Sequence, residues 1–270
     1  MKLIIIFWAL CIASVVKAAR VDTVNVYSIS MNKEVEVVLI LPEKMVNQKE
    51  NCPVVYLLHG YGGDAKSWLN IKPKLPDLAD KLDIALVCPD GENSWYWDSP
   101  LDSSYCYETF ISVELIKYVD QHYSTIADRK GRAITGLSMG GHGALWNAIR
   151  HRTIFGAVGS TSGGVDIRPF PTKWEMSKQL GDFVSNQQCW EEHTVINLVK
   201  TLQNKELAII LDCGESDFFI EVNKELHKWL LAYEIEHDFI TRPGRHNGEY
   251  WSNSIDYQLL FFNKFFERNK

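Results

Sequence analysis

Apolar residues along the chain switch repeatedly between two spacings, and the alternation predicts the architecture. Val21 to Ile29 and Glu34 to Leu41 alternate or run apolar, are rich in β-branched residues, and are joined by Met31-Asn32-Lys33. That pattern predicts an antiparallel hairpin opening a sheet. Pro53 to Leu58 is a short continuous apolar run, the mark of a strand covered on both faces. Runs of the same kind at Ile84 to Cys88, Arg132 to Leu137, Phe155 to Gly159 and Leu207 to Cys213 predict further buried strands, with a shorter one at His237 to Thr241. Between them the apolar residues fall at helical spacing, over Tyr107 to Tyr123, His142 to Ile149, Val222 to Ile235 and Tyr250 to Phe266. A hairpin followed by alternating strands and helices predicts an α/β fold, a mainly parallel, doubly wound sheet in a single domain. Val165 to Thr201 is the least regular stretch, with Pro169, Pro171 and two tryptophans. It reads as an insertion lying over the top of the sheet.

Composition changes this picture mainly at the N-terminus. Lys2 precedes an apolar stretch from Leu3 to Val16, and Val16-Lys17-Ala18 offers small side chains where a signal peptidase reads. Residues 1–18 are therefore expected to be a signal peptide, leaving 19–270 as the mature domain in a secreted or periplasmic setting, without stable membrane insertion. The 270 residues carry a formal charge of −6. No long basic run exists, so no nucleic-acid partner is expected. Cys52, Cys88, Cys106, Cys189 and Cys213 follow the leader. Cys88 and Cys213 sit in apolar runs and read as buried small hydrophobes, while an oxidising compartment permits a disulfide among the other three. The Cys and His spacings match no structural zinc site.

The chemistry centres on Gly136-Leu137-Ser138-Met139-Gly140-Gly141, a Gly-x-Ser-x-Gly pattern between a strand-like run and a helix-like one. In that context it predicts a tight strand-to-helix turn that lifts the serine oxygen to the top of a sheet, with glycines where the two backbones approach. A serine hydroxyl is a poor nucleophile unless a base lies within hydrogen-bond reach and an acid orients the base. With such an elbow the chain order is Ser, then Asp or Glu, then His. Of the eight histidines only His246 follows the last strand on a loop before the C-terminal helix. Gly214-Glu215-Ser216-Asp217 follows the strand ending at Cys213, and Asp217 is the preferred acid, with Glu215 in reserve. Acyl transfer also requires two backbone N–H groups for the oxyanion. Met139, after the nucleophile, and Tyr61, in the loop His59-Gly60-Tyr61-Gly62-Gly63, are the candidates. Trp95 and Trp97 in Trp95-Tyr96-Trp97-Asp98-Ser99-Pro100 fall on the same rim as the serine. Their aromatic faces suit a flat acyl group or a sugar ring, and core packing is the alternative.

The segments Leu57 to Gly63, Trp95 to Pro100 and Ala133 to Ala144 together resemble the esterase D-like family of the α/β-hydrolase fold. That family includes S-formylglutathione hydrolases, tributyrin esterases, feruloyl and acetylxylan esterases, and antigen 85 mycolyltransferases. The resemblance spans nearly all of residues 19–270. It implies a carboxylic ester hydrolase with Ser138, Asp217 and His246 as triad and the Tyr61 and Met139 N–H groups as oxyanion hole. One departure stands out: similar esterases often carry a tryptophan near the histidine loop, where this chain has Gly248, leaving that wall more open. The expected activity is a secreted serine carboxylesterase acting on a small-molecule or carbohydrate ester, feruloyl and acetyl groups foremost, with no cofactor or metal required. Three alternatives remain: an acyltransferase with a sugar alcohol acceptor, a thioesterase like the S-formylglutathione hydrolases, and an inactive carbohydrate-binding relative.

Overall fold

The computed structural model describes residues 19–47 and 50–270, and the expected signal peptide lies outside them. Eight strands form one sheet: β1 (Arg20–Ser28), β2 (Lys33–Leu41), β3 (Val54–Leu58), β4 (Ala85–Pro89), β5 (Arg132–Gly136), β6 (Ala157–Thr161), β7 (Ala208–Gly214) and β8 (Asp238–Arg242). Their spatial order is β1-β2-β4-β3-β5-β6-β7-β8. The β1–β2 hairpin is antiparallel and β2 joins β4 antiparallel, while β4 through β8 pair in parallel. The fold is thus α/β, with the hairpin expected at its start.

Period-two alternation splits each central strand between two cores. Tyr56, Leu58, Ile134 and Val158 pack on one side with Tyr107, Phe110 and Trp146. Val55, Leu57, Ala133 and Ile210 pack on the other with Ala79, Ile255, Leu259 and Phe262 of the helices Leu75–Leu82 and Gly248–Arg268. Both faces are covered, which is why these strands read as unbroken apolar runs.

Three differences from the hydrophobic pattern stand out. The sixth strand begins at Ala157, not Phe155, because Phe155 is buried from a loop, edge-on to Tyr56 at 6.1 Å between ring centroids. Burial alone does not tell a strand from a buried turn. The helix after the serine begins at Met139, ahead of its apolar residues. Gly140, Gly141 and Gly143 are poor helix formers, and packing overrides that propensity. A Cβ on Gly140 would lie 2.3 Å from the Leu58 carbonyl oxygen, and one on Gly136 would lie 2.4 Å from the Gly140 backbone. The expected helix from Tyr107 is present but widens to a π-helical stretch at Phe110–Leu115 before continuing as Ile116–His122.

All five described cysteines are unpaired. Cys88 and Cys213 are buried in their strands as expected, and none of Cys52, Cys106 and Cys189 is in a disulfide. Among the described residues no helix is long and apolar enough to cross a membrane.

Candidate active site

Ser138 occupies the turn between β5 and the helix Met139–Arg150 with φ 55° and ψ −116°. A non-glycine residue there is strained, and the surroundings must hold it. Its N–H donates to the Thr161 carbonyl at 2.9 Å, and its own carbonyl accepts the Gly164 N–H at 3.3 Å. The turn places Ser138, half-buried, just beyond the C-terminal end of β5.

Two later loops converge on it. His246 precedes the helix Gly248–Arg268, whose first turn is capped by Asn247 accepting the Tyr250 N–H at 3.1 Å. Asp217 follows β7 in a turn closed by its N–H on the Gly214 carbonyl at 3.0 Å. The His246 Nδ1 meets Asp217 Oδ1 and Oδ2 at 3.0 and 2.9 Å, and its Nε2 meets Ser138 Oγ at 2.9 Å. A carboxylate only accepts, so Nδ1 carries the proton and Nε2 offers a lone pair to the serine hydroxyl. The Asp217 side chain is wholly buried and also accepts the Phe219 N–H at 2.8 Å. Glu215, the reserve acid, is exposed. Asp212, still within β7, is committed elsewhere: it pairs with Arg242 at 2.5 Å and accepts the Ser254 hydroxyl at 2.5 Å.

Met139 follows Ser138 directly, and Tyr61 follows Gly60, where an added Cβ would lie 3.4 Å from the Ser138 Cβ. Among the described residues neither main-chain N–H has an acceptor. Met139 is the first residue of its helix, so its amide is unused by the helix and adds the positive end of the helix dipole. These are the features an oxyanion needs.

The two tryptophans expected at the substrate do not reach it. Trp95 is 1 % exposed and Trp97 0 %, stacked on each other with centroids 5.6 Å apart. Trp95 and Tyr96 turn inward through positive φ values of 56° and 63°. The missing side chain at Gly143 makes room for the Tyr96 ring, which a Cβ there would approach to 2.3 Å. The segment is core, as its high aromatic content also allowed. Aromatic surface at the site comes instead from three residues not singled out in the sequence. Phe218, 54 % exposed, lies against His246 at 4.2 Å between centroids. Trp174, from the 165–201 stretch, stacks on Phe218 at 5.9 Å. Trp251 meets His246 edge-on at 4.9 Å. Gly248 does face open space, with one atom of Ile71 at 3.8 Å from a built Cβ, but Trp251, five residues beyond His246, supplies an aromatic wall. Proximity to Asp217 and His246 in sequence was the available signal for Phe218 and Trp251; nothing marked Trp174 above its neighbours.

The chain matches the family model described as "Putative esterase" over residues 28–262. It belongs to this esterase family. An acetyl esterase of Caldicellulosiruptor saccharolyticus is 27% identical over 253 residues, covering 86% of this chain and 94% of the relative. Esterase Rv1288 of Mycobacterium tuberculosis is 32% identical over 238 residues, 77% of this chain and 51% of that longer protein. Among solved structures, a ferulic acid esterase superposes with a TM-score of 0.80 at 27% identity, covering 92% of this chain and 98% of its own. The fold is that of the α/β-hydrolases and the chain is a carboxylic ester hydrolase.

Beneath the site of this esterase, His142 ties the core to the serine turn. It is 0 % exposed; its Nε2 accepts the Trp97 indole N–H at 2.8 Å and its Nδ1–H donates to the Gly164 carbonyl at 2.9 Å. Both ring nitrogens are committed, and burial pushes its pKa down to about 3. Unfolded, the imidazole titrates at ~6.5. Above that pH it is neutral in both states and its contribution to stability is intact. As pH falls the unfolded chain takes up the proton first, so stability drains away from about 6.5 down to about 3. Thermal unfolding across pH 4 to 8 should therefore show a midpoint falling on the acid side, with a shallower fall in His142→Gln. Equal slopes in the two proteins would contradict this.

Proposed function

We propose that this esterase is exported and hydrolyses short acyl esters of carbohydrates, acetyl and feruloyl groups foremost, through Ser138, His246, Asp217 and an acyl-enzyme. His246 Nε2 takes the hydroxyl proton as Ser138 Oγ attacks the ester carbonyl. Asp217 holds the imidazole in the required tautomer and stabilises the imidazolium. The Tyr61 and Met139 N–H groups receive the oxyanion. The imidazolium then protonates the leaving alcohol, and a water activated by the same Nε2 releases the acid. The continuous chain from Asp217 through His246 to Ser138, with both nitrogen–oxygen gaps at 2.9 Å, carries this reading.

Three observations support the substrate class. Phe218 and Trp174 present flat aromatic surface beside His246, of a kind that takes sugar rings and aromatic acyl groups. Relatives include an acetyl esterase and a ferulic acid esterase. The composition of residues 1–18 suits an export signal. Turnover of acetylated and feruloylated oligosaccharides should exceed that of S-acyl thiols by at least tenfold in kcat/KM, with free acid as product when a sugar alcohol is added. A preference for thiol esters, or acyl transfer to the sugar, would replace this reading with one of the alternatives.

A further inference from the structure

The direction of the Tyr61 N–H depends on the two peptide planes that meet at this residue. In the first, the Gly60 carbonyl and the Tyr61 N–H point opposite ways across one planar trans unit. The Gly60 oxygen accepts the His59 Nδ1–H at 2.7 Å and the Gly63 N–H at 3.0 Å. His59 keeps that tautomer because its Nε2 accepts the Gly91 N–H at 2.7 Å. In the second plane, the Gly62 N–H donates to Asn93 Oδ1 at 2.8 Å, from a glycine at φ +75° that a larger residue would adopt only under strain. With both planes clamped, the Tyr61 N–H is left over as a free donor.

Asn93 also reaches in the other direction. Its main-chain carbonyl accepts the Gln179 Nε2–H at 2.8 Å. Gln179 is 5 % exposed and lies in the helix Met176–Leu180, just after Trp174. Its own carbonyl is held by the Ser99 hydroxyl at 3.0 Å. The stretch that brings Trp174 to the site is thereby bonded to the residue that holds the oxyanion loop.

We propose that Asn93 is a positioning residue for the oxyanion hole and couples the 165–201 segment to it. This rests on the roles given above to Ser138 and the Tyr61 N–H. Asn93 touches no reacting atom. Without its side-chain carbonyl the Gly62 peptide turns toward water, which replaces the lost acceptor at little cost to folding because Gly62 is exposed. The Tyr61 N–H then samples orientations away from the developing charge. The bond it makes matters only once the carbonyl oxygen becomes an oxyanion, so kcat suffers and substrate binding does not.

The test compares wild type, Asn93→Ala, Asn93→Asp, Gln179→Leu and the Asn93→Ala/Gln179→Leu double variant. The readouts are kcat and KM on p-nitrophenyl acetate and Ki for a trifluoromethyl ketone, whose adduct with a serine places an oxyanion in the hole. Losing a donor outright costs ~100-fold or more, so loosening one should cost less. Asn93→Ala is expected to lower kcat roughly tenfold with KM within about twofold, and to raise the ketone Ki by the same factor as kcat falls. Asn93→Asp, which keeps an acceptor oxygen, should recover about threefold or more of that loss. Gln179→Leu should lower kcat about threefold, and the double variant should be no slower than Asn93→Ala alone. Wild-type kcat and Ki in Asn93→Ala would overturn the proposal, as would a loss confined to KM and thermal stability. Strict additivity in the double variant would overturn the coupling. Undiminished turnover by Ser138→Ala would show instead that the underlying catalytic roles are wrong.

Discussion

Ser138→Ala is expected to lower kcat by about a million-fold while leaving the fold intact, since losing the nucleophile of a serine triad costs about as much as losing the whole triad. The residual rate would come from the oxyanion donors and substrate positioning, which still act on an attacking water. Folding should survive because only the hydroxyl is removed. The Ser138 N–H and carbonyl, which bond Thr161 and Gly164, hold the turn. The strained φ of 55° is as accessible to alanine as to serine. Steady-state turnover of p-nitrophenyl acetate, with thermal unfolding alongside, checks both halves. A loss below a hundredfold would mean that another group attacks the ester.

Asp217→Asn should cost about ten-thousand-fold in kcat with KM little changed. The amide is isosteric, and its oxygen can still accept the Phe219 N–H that Asp217 accepts at 2.8 Å. Its NH2 group, however, can donate to His246 Nδ1. That favours the opposite tautomer, with the proton on Nε2, where the imidazole no longer accepts the serine hydroxyl. The amide also fails to stabilise the imidazolium that forms in the transition state. Glu215→Gln is the matched control: its side chain is exposed, so its kcat should stay within about twofold of wild type, as surface substitutions ordinarily do. A large loss at Glu215 together with a small one at Asp217 would reassign the orienting acid.

Much of this arrangement was legible before any coordinates. Strands buried on both faces announce themselves as unbroken apolar runs, so β3, β4, β5 and β7 lie within a residue of where hydrophobicity placed them. Order along the chain pruned the histidines to His246, because only one follows the last strand. Side-chain direction was the part hidden from pattern. Trp95 and Trp97 follow a strand that ends at the site rim, yet left-handed backbone at Trp95 and Tyr96 turns them into the core. Such conformations are rare for these residues and depend on space that Gly143, far away in sequence, provides. Trp174 reaches Phe218 through a stretch with no regular period, where local pattern says nothing about long-range contact. The same limit concealed Asn93, whose role depends on Gly62 and Gln179, distant from it in sequence on either side.

Activation of the Ser138 oxygen by His246 can be read out by covalent labelling. The protein would be treated with a fluorophosphonate, digested, and the adduct located by mass spectrometry, in wild type and in His246→Ala. One adduct per chain on Ser138, forming at least a thousandfold more slowly in the variant, is the predicted result. An adduct on another residue, or equal labelling rates in the two proteins, would contradict it.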